Sequence, residues 1–249
     1  MATDSLPSQE QAPLSEAQRL IDVFIAPSKT FTDLRINASW WAPFVISAII
    51  SVIFVIVVDQ KIGFSKVWEN QLRSQPKQAE KMEQMPADQR AKITEKQIAF
   101  TKTVSYSFSV LILVWYVIVA SVLLTTLKFG LSAEVRFKTL LALVFYSSLP
   151  GLLKTLLAIL SVVAGVSGDA FTFQNPVATN PGYFVDPATA PVLSRFLTSF
   201  DIFTFWVLAL AAIGITCITK VKKGTAFAVV FGWYFVVVLI GVGAAAIFS

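Results

Sequence analysis

Lys154 is the one charged residue in the apolar run from Leu140 to Val166, and it follows Pro150-Gly151 by one turn. Tyr146, Ser147 and Ser148 precede that break, and Asp201 opens the next long apolar run. An ammonium in the centre of a membrane span costs about 2.5–3.5 kcal/mol, so it must find a counter-charge or reach water. Lys154 and Asp201 are therefore expected to approach each other, directly or through a water, with Tyr146 nearby. The competing reading is a lysine whose stem runs along the helix and carries its charge out to the head groups. Pro150 removes a backbone donor and crowds the preceding turn, so a kink is expected through Pro150-Gly151. Inside lipid the freed carbonyl needs a partner, either the hydroxyls of Tyr146, Ser147 and Ser148 or a neighbouring helix. A broken helix can also expose backbone to a transported substrate. No second interrupted segment at a matching position and no internal repeat accompanies it, which favours a structural kink.

Little else in the chain can do chemistry. There is no histidine, and Cys217 is the single cysteine. Histidine acid-base chemistry, histidine metal sites, internal disulfides and paired-cysteine clusters are thereby excluded, and Cys217, in an apolar run, reads as a small packing residue. Asp169 and Asp186 lie outside the apolar runs, so an intramembrane carboxylate pair is not supported. No glycine-rich phosphate loop is present. No catalytic residue, metal or cofactor is expected, and the chain reads as no enzyme.

The elements that must position Lys154 and Asp201 follow from composition. Of 249 residues, 55% are hydrophobic and 14% charged, with a mean hydropathy of +0.70, which belongs to a polytopic membrane protein. The net charge of +5 reads as Lys and Arg flanking spans and meeting anionic head groups, not as a nucleic-acid surface. The expected fold is all-α, a bundle of five transmembrane helices over about 41–58, 104–127, 140–166, 200–219 and 226–248, with the broken third span at its centre. Residues 1–14 read as a disordered tail. Residues 15–38 read as amphipathic interfacial helices: Ser15 with Gln18 fits a capping box, Leu20, Ile21, Phe24 and Ile25 form the apolar side, Pro27 stops the first helix and Ser28 caps a second along the membrane surface. Trp40 and Trp41 are expected to anchor the first span at the interface. The polar stretch before that span lacks the pattern of a cleavable signal, so the span is expected to be retained.

Residues 59–103 form a charged insertion with nine Lys/Arg and six Asp/Glu, read as a helical hairpin whose second helix runs straight into the second span. The connection from Asp169 to Ser199 reads as an irregular loop. Gly241, Gly243 and Ala244 to Ala246 near the end of the fifth span allow close helix contact. The short loops after the second and fourth spans are dense in Lys/Arg and the loop after the third is not, which places the N-terminus in the cytoplasm. The basic insertion opposes that choice, since parity puts it outside. Asn37-Ala38-Ser39 fits a glycosylation pattern, but falls on the expected cytoplasmic side.

Several segments together resemble one family. Ala26-Pro27-Ser28-Lys29-Thr30-Phe31 with Ser39-Trp40-Trp41-Ala42-Pro43, then Tyr146-Ser147-Ser148-Leu149-Pro150, then Asp201-Ile202-Phe203 with Trp206, Gly214, Lys222 and Ala226, are similar in order and spacing to the Yip domain family, named for Ypt/Rab-GTPase-interacting proteins, in its prokaryotic branch. The resemblance covers roughly Leu20 to Phe248 and implies five spans, a cytoplasmic N-terminus and a very short external C-terminus. The insertion 59–103 is longer than the family pattern. Eukaryotic relatives are associated with small GTPases and vesicle traffic, so a GTPase partner is implied by analogy only. The function expected is a multi-pass scaffold or adaptor in a bacterial inner membrane, binding protein partners or organising lipid, with oligomerisation open. The alternative is a small transporter or permease subunit using Tyr146 and Lys154.

Overall fold

The computed structural model describes residues 13–165 and 171–248. Most of the expected tail, the end of the third span at Val166, and Asp169 lie outside the described residues. The chain is 78% helix, with no strand among the described residues. Its elements are α1 (Glu16–Ile25), α2 (Pro27–Asp33), α3 (Trp41–Lys61), α4 (Phe64–Arg73), α5 (Pro76–Glu83), α6 (Ala87–Tyr106), α7 (Phe108–Thr125), α8 (Phe137–Ser147), α9 (Leu149–Val163), α10 (Pro191–Thr198), α11 (Ile202–Ile218) and α12 (Lys223–Phe248).

Among the described residues, four helices are long and apolar enough to cross a membrane: Trp41–Lys61, Phe108–Gly130, Phe137–Val163 and Lys223–Ile247. The pair α10–α11, bent by 45° at residues 199–201, makes a fifth if the two helices form one span. The sequence places the break in the third span and a loop before the fourth; the structure puts the sharp bend in the fourth. Pro191 opens α10 at a position that needs no backbone donor, and the segment from Val192 to Thr198 is amphipathic enough to fold on its neighbours. In the third span Pro150 likewise stands in the first turn of α9, after a single non-helical residue at Ser148. The span stays continuous there because a proline at that position interrupts no hydrogen bond the helix would otherwise make. One further difference lies at Ser107, which separates the charged α6 from the apolar α7 where one continuous helix was expected.

The core is centred on α8, whose residues from Thr139 to Ser147 are all buried. Leu140, Leu143, Phe145 and Tyr146 are fully enclosed by α7, α11 and the N-terminal hairpin α1–α2. Gly214 allows the closest of these approaches: a Cβ there would stand 2.8 Å from Leu143 Cδ1 and 3.1 Å from Phe31 Cδ1. Trp40 turns inward and stacks on Phe145, with ring centroids 5.4 Å apart, whereas Trp41 is exposed where a belt residue belongs.

Val23, Phe31 and Leu34 are buried in the protein core, while Ile21 and Ile25, counted on the apolar side in the sequence, are exposed. The packed face of α1 is thus rotated to include Arg19 and Val23. The capping box is present, with Gln18 N donating to Ser15 Oγ and Ser15 N to Gln18 Oε1. Ser28 caps nothing: Pro27 begins α2 as its first residue, and no side chain caps that helix. Glu16 meets Tyr146, nine residues or about 14 Å into the third span. The hairpin therefore docks against the flank of the bundle.

On the opposite end, Gly63 at φ +81° turns the chain from α3 into α4. Phe54, Phe64, Phe171 and Phe173 close an aromatic cluster there. Asn70 Nδ2 donates to Phe171 O at 3.1 Å, tying α4 to the connection that follows the third span.

Candidate functional site

Asp201 is the N-cap of α11. Its Oδ1 accepts from the backbone N–H groups of Phe203 at 3.1 Å and Thr204 at 3.0 Å, so the carboxylate satisfies donors the helix leaves open and meets the positive end of its dipole. Its Oδ2 accepts from Lys154 Nζ at 2.8 Å and from the Thr179 hydroxyl. The backbone reinforces this join, because Ile202 N donates to Thr179 O at 3.3 Å. The Asp201 side chain is 3% exposed and that of Lys154 22%. A buried charge without a partner is costly, and here each charge has one.

Three chain segments thus converge on one carboxylate: α9 through Lys154, the connection before α10 through Thr179, and α11 through its own first turn. Behind Thr179, the side-chain amides of Asn175 and Asn180 pair reciprocally at 2.8 and 3.4 Å. With ion pair, hydroxyl and two backbone N–H groups on it, Asp201 has little acceptor capacity left for a substrate. The arrangement fastens the bend in the fourth span to the third span.

Tyr146 is not part of it. Residues 146 and 154 are eight apart, about 12 Å along a helix. The Tyr146 hydroxyl donates to Glu16 Oε2 at 2.6 Å, not to the backbone around Pro150. The break is served locally: Ser147 Oγ donates to Val144 O at 3.1 Å and Ser148 Oγ to Phe145 O at 2.8 Å. Gly151 N donates to Ser148 O at 2.9 Å, and Gly151 faces open space.

Around Tyr146 lies a second polar cluster that the sequence reading missed. Arg19, fully buried, contacts Asp33 through Nε at 2.6 Å and Nη2 at 2.5 Å, and Glu16 through Nη1 at 3.3 Å. Asp33 Oδ1 accepts from Leu14 N at 3.0 Å, and Thr30 Oγ1 donates to Arg19 O at 3.3 Å. The signal available was the spacing of Glu16, Arg19 and Val23, three and four apart on one helical face. A charged residue in phase with a core valine calls for a partner, and Asp33 beyond Pro27 is within reach of a tight hairpin.

A third contact lies at the end of the first span. Lys102 Nζ approaches Asp59 Oδ2 at 2.9 Å and lies 5.8 Å from the centre of the Phe64 ring, while Tyr106 OH donates to the same carboxylate oxygen at 3.1 Å. The hydrogen bond to Asp59 is the main cause that raises the Lys102 pKa above its ordinary value. No group of three or more metal-ligating side chains occurs among the described residues.

Residues 21–245 match the family model of the Yip1 domain. No curated protein and no solved structure matches the chain.

Proposed function

From the premise that the chain belongs to the Yip1 domain family, a family of multi-pass membrane proteins not known as enzymes, we propose that it is a non-enzymatic membrane scaffold or adaptor that binds protein partners and organises lipid. The observation that carries this reading is α6: none of its 20 residues is buried, and it bears Asp88, Arg90, Lys92, Glu95, Lys96 and Lys102. Such a helix, about 30 Å long, gains nothing from the core and offers a charged surface to another protein. The proposed setting is a bacterial inner membrane with the N-terminus cytoplasmic, which leaves α6 and the C-terminus external. A small GTPase partner rests on family analogy alone.

Photo-crosslinkers at Arg90, Lys92 and Lys96 in native membranes test this. Discrete protein adducts are expected, and they should be lost when Lys92 and Lys96 are both changed to Glu. Adducts that survive the charge reversal, or none at all, would overturn the reading.

One observation favours the transporter alternative: the bend before α11 is joined to the third span by Lys154 and Asp201. Solute flux in liposomes that disappears in Lys154→Ala would support it; the saturated hydrogen bonding of Asp201 argues against it.

A further inference from the structure

Arg195 lies in the last turn of α10, and α10 packs along the C-terminal half of α12. Its guanidinium rests over Gly241, where an added Cβ would stand 3.0 Å from Nη2 and 3.1 Å from Nε. Gly241 is 18 residues beyond Lys223, about 27 Å along the helix, close to the ~30 Å thickness of a hydrocarbon core. The cation therefore sits at the depth where the far head groups begin. Leu193 and Phe196 of the same helix and Ile240, next to Gly241, are exposed apolar side chains. A charge in such a place needs an anion or water, yet among the described residues no carboxylate forms an ion pair with Arg195.

Arg195 also forms one wall of a groove between the α4–α5 corner, the segment 172–187 and the end of α12. Lys77 lines the same groove, also without an ion-pair partner among the described residues, as do Asn175 and Tyr183. Arg73 lines it too, but its charge is taken by Glu69 at 2.8 Å. Among the described residues Asp186 is the one carboxylate on the groove, so the two unpaired cations outnumber it there. With Arg195, Lys77 and Asn175 as polar groups and Phe184, Val185 and Ala245 as apolar ones in its lining, the groove suits an amphiphile with an anionic head.

We propose that this groove is a phospholipid site, in which Arg195 and Lys77 hold the phosphodiester and the acyl chains run down the seam of α10 and α12. The fork of Arg195 suits two phosphate oxygens, and Gly241 is the seat that keeps it in place. The proposal rests on the reading of the chain as an organiser of lipid but not on partner binding by α6. Its test contains no protein partner, so either idea can fail alone.

Delipidated full-length protein in detergent is titrated with phosphatidylglycerol, with diacylglycerol of the same chains, and with inorganic phosphate, and bound lipid is counted by native mass spectrometry. One tight phosphatidylglycerol is expected, with diacylglycerol bound at least about tenfold more weakly. Arg195→Gln and Gly241→Leu should each weaken the lipid about tenfold, while Lys92→Gln, the same charge change on α6, should leave it unaltered. Should Arg195→Gln not fold, Lys77→Gln on its exposed helix carries the test and is expected to weaken binding about threefold. Unchanged affinity in a folded Arg195→Gln, or in Lys77→Gln where that variant stands in, overturns the site, as does equal retention of diacylglycerol. Displacement of the lipid by millimolar inorganic phosphate overturns its assignment to a lipid.

Discussion

Glu16 and Tyr146, 130 positions apart, are joined by a hydrogen bond of 2.6 Å, which anchors the N-terminal hairpin to the flank of the central span. Glu16 also meets Arg19, and Arg19 meets Asp33, so one polar chain runs from α8 through both helices of the hairpin. Buried ion pairs contribute little net stability compared with apolar packing, yet removing one partner strands the other.

Arg19→Met should accordingly cost about 3–5 kcal/mol by leaving Asp33 buried and unpaired. Thermal unfolding in detergent measures it. Combining it with Asp33→Leu should recover most of the loss, whereas additive losses would show that the two residues do not act as a pair. Tyr146→Phe, which removes one hydroxyl from Glu16, should cost about 1–3 kcal/mol.

Asp201 has two tasks and Lys154 one. Asp201→Ala should therefore destabilise by about 1 kcal/mol more than Lys154→Ala, that being the usual worth of an N-cap. Exchanging the two charges, Lys154→Asp with Asp201→Lys, should restore the pair but not the cap, so recovery of expression is expected to be partial. Full recovery would mean that the cap contributes nothing, and none would mean that the pair does not form.

Gly214→Ala places a methyl 2.8 Å from Leu143 and should cost about 1–3 kcal/mol through overpacking. Gly151→Ala, whose Cβ would meet nothing within 4 Å, should be neutral or slightly stabilising in the same melt, since alanine is the better helix former.

The bond that joins α6 to α3 depends on charge at Lys102. Because its pKa is raised in the folded protein, the contribution is present in full below the ordinary lysine value and is lost as pH climbs through the raised one. Proteolysis of α6 should therefore be constant from about pH 6 to 9 and increase only at stronger alkalinity. Lys102→Gln should show the higher cleavage rate throughout, and a wild-type rate that changed near neutrality would contradict the assignment.

The spans were legible because an apolar run long enough for a bilayer has few other uses, and Lys154 and Asp201 were legible because a charge in such a run demands a partner. The hairpin was not. Its apolar residues read as a lipid-facing stripe, since Ile21 and Ile25 share a face with Leu20 and Phe24; only tertiary packing tells that Arg19 and Val23 turn inward. The bend before Asp201 escaped notice because α10 is eight residues long and sits in a stretch whose prolines read as a loop. Tyr146 was assigned to Lys154 by nearness in sequence, although eight helical residues place the two side chains apart.

The most direct measurement is the sidedness of single cysteines in a Cys217→Ser background, labelled in sealed inverted and right-side-out vesicles by a membrane-impermeant maleimide. Five crossings predict that cysteines at Lys29, Glu134 and Lys220 are labelled from one face and those at Lys92 and Asp186 from the other. Labelling of the Lys29 and Lys92 positions from the same face would contradict the account, because α3 would then not cross the membrane and the bundle built around α8 would lose its frame.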